Sequence, residues 1–278
     1  MNVKKSKKLL VFKTLLEYHI SMVDGNNTEI LGKKIFFIHP AALTQNEIIA
    51  ELVQQEYEVY VIRDTGRAVK ILQLYPASVL FASVEEALPP EDWETFIRKI
   101  MGEEETKDTV VGIIVNSDND NIKRLYLNTI KVSGGYVSVR PDTAKAVRLV
   151  LDVLKSADAK GRRKYIRADT RGDVMAGLNI SINGRYVNGS IRDISVVGLS
   201  CVFETDPELE KNSLVTDIQI KLQSSLLKVE GIIFGSRMDG DEKAYVVVFT
   251  QKIDPVVRTK IRTYIQKRLQ AKLDQEIK

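Results

Sequence analysis

GRRKYIRADT, residues 161–170, follows the small polar run KSADAK and divides the chain into two textures. Upstream, short apolar runs alternate with stretches of helical period. Downstream, short runs rich in Val, Ile and Leu are separated by the turn pairs NG, NS and DG. The first pattern predicts β–α units on a parallel sheet, and the second predicts antiparallel strands. With 278 residues, both domains can be of ordinary size.

The upstream elements are KKIFFIH (33–39), YEVYVIR (57–63), ASVLFAS (77–83), TVVGIIVNS (109–117) and GYVSVRP (135–141) as strands. Helices are expected at 44–56, 66–75, 89–101, 119–131 and 142–155. Thr44 followed three residues later by Glu47 reads as a capping box. Pro76 ends the second helix, while Pro89 and Pro90 open the third. Five such units predict an α/β doubly wound domain over 32–156 with a five-stranded parallel sheet.

Downstream, strands are expected at 173–182, 185–192, 198–204, 213–222, 226–235 and 244–250. Asp254 caps a closing helix whose Pro255 takes the first position, and Val257, Ile261, Tyr264, Ile265 and Leu269 share one face. This predicts an all-β six-stranded barrel with a terminal helix over 173–278. The expected division is then a 1–31 extension, the 32–156 domain, an arginine-rich linker at 157–172 and the barrel.

Forty-one Lys and Arg against 37 Asp and Glu give a net charge of +4, with basic clusters at 1–8, 160–171 and 258–268. That excess suits an anionic ligand, a nucleic acid or a membrane surface without selecting one. No apolar run reaches the roughly 20 residues that span a bilayer. LLVF is broken by Lys13 with no cleavage site after it, which argues against a signal peptide. The single cysteine, Cys201, excludes an intramolecular disulfide and fits a cytoplasmic protein. Residues 8–23 can form one amphipathic segment that packs on the first domain or on a second subunit.

Two short patterns stand out around the domain boundary. R-x-x-x-R occurs four times, at Arg63/Arg67, Arg163/Arg167, Arg167/Arg171 and Arg258/Arg262, so alone it says little. D-x-S-x-x-G occurs as Asp193-Ile-Ser195-Val-Val-Gly198, and the looser NISING (179–184) reads as a hairpin tip. A plain polar β-turn, with Gly198 at positive φ, would also account for DISVVG.

In this order, ahead of and on an early strand of a six-stranded barrel, the two patterns resemble the PilZ family over about 160–278. The resemblance implies cyclic di-GMP as ligand. It assigns Arg162, Arg163 and Arg167 to phosphate and guanine, Asp193 to a guanine edge, Ser195 to polar support and Gly198 to clearance. Arg237 is a further candidate from a later strand. Such a linker, its arginines repelling one another, would be mobile when empty and ordered by a doubly negative ligand.

The 33–155 region resembles a response-regulator receiver in length and order, without its functional residues. His39-Pro40 stands where the acidic pair belongs, Ala82 and Ser83 where the phosphoacceptor belongs, and Arg140-Pro141 where Lys-Pro belongs. Ser117 retains the hydroxyl position, and Glu85 and Glu86 read as a helix-start pair. A degenerate receiver implies protein contact or pairing with a second copy. With only His19 and His39, no metal cluster is expected, and Trp93 and Cys201 read as core residues. No phosphate loop, dinucleotide fingerprint, zinc-protease helix or nucleophile elbow occurs, so neither enzyme activity nor a cofactor is expected. The expected function is a cyclic di-GMP receptor that signals to a protein partner. The rivals are a nucleic-acid-binding regulator using the linker and RTKIRTYIQKRLQAKL, and a scaffold whose PilZ site is idle.

Overall fold

The computed structural model describes residues 32–182, 184–250 and 253–277. The expected extension at 1–31, with its amphipathic segment 8–23, lies outside the described residues. The chain separates into two compact units, one containing Lys164–Leu269 and the other running to Arg163 and taking the chain end from Gln270.

In the first unit along the chain, strands β1 (Ile35–Ile38), β2 (Val59–Ile62), β3 (Val79–Ser83), β4 (Val110–Val115) and β5 (Tyr136–Ser138) form a parallel sheet ordered β2-β1-β3-β4-β5. This is the flavodoxin-like doubly wound order. β1 and β3 are buried at every position, as strands covered by helices on both faces must be. The helices are α1 (42–54), α2 (Thr65–Leu74), α3 (Pro90–Gly102), α4 (120–130) and α5 (Thr143–Ser156). Asp64 caps α2 by accepting from the Arg67 N–H at 2.6 Å, and Asp142 caps α5 through Lys145 at 2.8 Å.

The capping box expected at Thr44 does not form. β1 stops at His39, whose φ of 46° turns the chain, and the first helical hydrogen bond runs from Gln45 N–H to Ala41 C=O at 3.0 Å. Thr44 therefore lies inside the helix, where the middle turn Thr44–Ile49 is π-wound, and its buried hydroxyl has no hydrogen-bond partner.

In the second unit, six strands close on themselves: β7 (Ala176–Ile182), β8 (Arg185–Ser195), β9 (Gly198–Phe203), β10 (Leu214–Leu222), β11 (Ser225–Asp239) and β12 (Glu242–Phe249). Neighbours run β8-β7-β10-β11-β12-β9, and the β8–β9 pairing completes the barrel. A two-residue strand β6 (Ala168–Asp169) adds to the outer part of β8. Leu178, Ile180, Ile191, Ile218, Ile220, Leu227, Val229 and Val247 fill the interior. Helix α6 (Pro255–Glu276) buries Ile261, Tyr264 and Ile265 against that core, on the face its sequence period indicates.

Gly189 marks a tight strand contact against backbone. A Cβ there would sit 2.6 Å from the Val202 carbonyl oxygen and 2.9 Å from the Phe203 ring. Backbone cannot retreat from that position, so Gly189→Ala is expected to cost about 1–3 kcal/mol. A lower unfolding temperature by calorimetry would show it, with wild-type stability as the contrary result.

Candidate functional site

The site begins with a bulge. Along β8 and β9, Ile191 pairs with Cys201, but Asp193 pairs with Ser200, so Arg192 is the extra residue. Ile191 and Ile194, three apart, consequently both face the core, at 2% and 0% exposure. A regular strand would send one of them outward. The bulge thus re-aims Asp193 to the outer face of the sheet, a common use of such irregularities. Two residues on, Ser195 pairs with Gly198 across a two-residue turn. The Ser195 hydroxyl donates to Gly198 C=O at 3.2 Å and accepts from Val197 N–H at 3.4 Å. Ser195 is 1% exposed and is spent on shaping this turn. Gly198 is not among the residues of positive φ, so the turn is built without that conformation.

Onto this outer face comes the arginine segment. Arg167 Nη1 lies 3.8 Å from Asp193 Oδ1. Asp193 Oδ2 accepts from the Ser200 hydroxyl, while Oδ1 is buried and makes no hydrogen bond. Immediately after Arg167, β6 sets Asp169 opposite Asp193, a like-charge pair that would repel. Arg171 offsets it by binding Asp169, with Nη2 to Oδ2 at 3.2 Å and Nε to Oδ1 at 3.2 Å. The hydrogen bond that Arg171 donates to Asp169 raises the Arg171 pKa above its ordinary value.

The linker expected to be mobile is attached to the barrel from Tyr165 onward. Tyr165 and Ile166 pack on the barrel core, and Ala168 is buried. Their apolar side chains outweigh the repulsion among the arginines. Thr170 is fixed twice to β8, through its N–H to Arg192 C=O at 2.9 Å and its hydroxyl to Ile191 C=O at 2.5 Å. Helix α6 then holds the following turn. Tyr264 donates to Asp173 Oδ2 at 2.8 Å, and Arg268 Nη2 donates to Asp169 C=O at 3.3 Å. Burial, then the bond to Asp173, raises the Tyr264 pKa. The helix RTKIRTYIQKRLQAKL therefore spends Arg268 and its apolar face inside the unit.

Of the remaining candidates, Arg162 is exposed and Arg163 half-buried, both ahead of the division between the units. The sequence of residues 161–267 matches the PilZ domain family. This region is a PilZ domain. Solved structures similar to the chain include the PilZ domain with c-di-GMP of YcgR from Escherichia coli, at 15% identity over 42% of this chain and 98% of that one, with a TM-score of 0.36. The inhibitor of motility MotI/DgrA from Bacillus subtilis matches at 15% identity over 41% of this chain and 53% of its own, with a TM-score of 0.35. The chemotaxis response regulator CheY4 of Vibrio cholerae matches at 13% identity over 45% of this chain and 98% of its own, with a TM-score of 0.36. This chain thus spans about half of MotI. No curated protein matches the sequence.

Within the PilZ domain, Arg237 is exposed on β11 opposite Ala244, and NISING ends at the β7–β8 hairpin, where Gly184 has φ 77°. Cys201 is fully buried, and burial pushes its thiol pKa up, with the Asp193 charge adding to the shift. Ser200 is the contact that motif reading missed. Only its place opposite Asp193 in the strand register could have revealed it, and the bulge shifts that register by one.

In the doubly wound domain, Ser83 ends β3 and His39 follows β1. His39 stands edge-on to the buried Trp93, ring centroids 6.0 Å apart; burial, followed by the Arg63 charge, lowers its pKa. Glu85 and Glu86 do not start a helix, since α3 begins at Pro90. They tie the loop to the end of β4, Glu85 Oε2 accepting from Asn116 N–H at 2.6 Å and Glu86 Oε1 from the Asn116 amide at 3.4 Å. Among the described residues no helix is long and apolar enough to cross a membrane.

The α6 contacts predict a local effect. Tyr264→Phe removes the bond to Asp173 at a cost of about 1 kcal/mol. Hydrogen exchange should quicken at Thr170 and Asp173 specifically; unchanged protection there would mean that α6 does not hold the segment.

Proposed function

We propose that the protein is a cyclic di-GMP receptor whose PilZ domain takes the ligand between the arginine segment and the β8–β9 hairpin. The observation that carries this reading is the pairing of Arg167 with Asp193 on the outer face of the closed barrel, one residue from each PilZ pattern, 3.8 Å apart. That gap is wider than a hydrogen bond, and Asp193 Oδ1 makes none.

The ligand offers two guanines and two phosphates. A guanidinium meets the O6 and N7 acceptors of guanine bidentately, worth about 1–3 kcal/mol of discrimination, and it neutralises phosphate while lying on a purine face. Arg162, Arg163 and Arg167 have this role. Asp193 accepts from guanine N1–H and its exocyclic amine through the oxygen that lacks a hydrogen bond. Ser195 and Gly198 serve indirectly, by fixing the turn that ends β8. Nothing in this assignment involves a covalent step, and the protein acts as a receptor and not as an enzyme.

The arginine-rich segment 157–172 connects the domains, and drawing its part ahead of Tyr165 around a doubly negative ligand alters their arrangement. The receiver-like domain, with Ser83 at the end of β3 and His39 after β1, then presents that state to a cytoplasmic protein partner or to a second copy of the chain.

Titration calorimetry of cyclic di-GMP into the full chain tests the receptor role, with GTP and cyclic di-AMP as competitors. Guanine-selective binding is expected in the wild type and a loss of at least about tenfold in Arg163→Ala, the scale of one charge-assisted hydrogen bond. A folded wild-type protein that binds nothing would overturn it. Small-angle scattering with and without ligand tests the rearrangement, for which two superimposable profiles would be decisive against.

A further inference from the structure

We propose that Ser200, which lies outside both PilZ patterns, is a positioning residue for the ligand site and acts through Asp193. The inference rests on the receptor reading above and specifies how its carboxylate is aimed.

The strand register sets the geometry. With Arg192 bulged, Asp193 and Ser200 stand directly opposite on β8 and β9, on the outer face. Ser200 is 1% exposed, so water does not satisfy its hydroxyl. On its other side Ser200 pairs with Val246 of β12, whose side chain has no acceptor. The hydroxyl proton goes to Asp193 Oδ2. That bond fixes the carboxylate about its terminal torsion, which is otherwise soft.

The consequence is a division of labour between the two oxygens. Oδ2 is held by the barrel, whereas Oδ1 is buried, makes no hydrogen bond and faces Arg167. Binding then requires no further ordering of Asp193, and an acceptor held in its bound orientation loses less freedom on association. Ser195, the serine of the pattern itself, does not do this, because its hydroxyl is committed to its own turn. One serine builds the corner and the other aims the acid.

A double-mutant cycle in cyclic di-GMP affinity tests the assignment, using the full chain as wild type, Ser200→Ala, Asp193→Ala and the double variant. Ser200→Ala should weaken binding about tenfold, the size of one hydrogen bond to a charged acceptor. Ser200→Cys, close in size but a weak donor, should behave like Ser200→Ala. In the Asp193→Ala background the further loss of the hydroxyl should change affinity by less than about twofold, because the group it acts through is gone. Equal losses in both backgrounds would reduce Ser200 to general support of the barrel, and wild-type affinity in Ser200→Ala would remove its role altogether. Either result leaves the receptor reading standing. A wild-type protein that fails to bind cyclic di-GMP takes down both readings, which separates the two failures.

Discussion

The pairing of β8 with β9 is the constraint on which the PilZ domain turns. It is the last seam of the barrel: without it the sheet ends in two open edges, at β9 and at the β6–β8 side. Closing the seam, a hairpin with a two-residue turn, leaves no unpaired edge between these strands. The seam also carries the irregularity that makes a site. Because Arg192 is bulged, the strand can put Ile191 and Ile194 into the core and still turn Asp193 outward, beside Ser200 and within reach of Arg167. Core packing and ligand geometry are therefore set by one local event.

The polar groups at this seam are arranged in mutually dependent pairs. Asp169 and Asp193 lie opposite each other, a repulsive placement relieved by Arg171 on one side and Arg167 on the other. The arginine segment is brought there by apolar anchors, Tyr165, Ile166 and Ala168, and is kept there by Thr170 and by the α6 residues Tyr264 and Arg268. Charge decides what the segment meets, and apolar contact decides where it lies. The doubly wound domain has a different architecture and uses its acidic groups differently. At the carboxyl ends of its parallel strands, the usual place for chemistry in this fold, it spends Glu85 and Glu86 on holding Asn116.

Most of the architecture was legible in the sequence because it depends on periodicity. The five apolar runs of the first domain, the six strands of the second and the buried stripe of α6 are local patterns whose elements the structure reproduces with small shifts at the ends. Local rules failed where a neighbour in space intervened. Thr44 and Glu47 have the spacing of a capping box, but the turn at His39 starts the helix two residues earlier and buries Thr44 within it. Glu85 and Glu86 have the composition of a helix start, but the end of β4 offers them an amide N–H and a carboxamide instead.

By itself the sequence determined the two fold classes and the residues that match the PilZ patterns, since each follows from residue types at fixed short spacings. Tertiary structure alone decided which of those residues meet. Whether Asp193 faces the core or the outside depends on the parity of a strand, and a single bulged residue reverses that parity with no mark in the residue pattern. The partnership of Asp193 with Ser200 follows from that register within the β8–β9 hairpin, and the approach of Arg167 follows from the seating of Tyr165 and Ile166 on the barrel core. Residue spacing shows neither, because one depends on a bulge and the other on packing between segments apart in the chain.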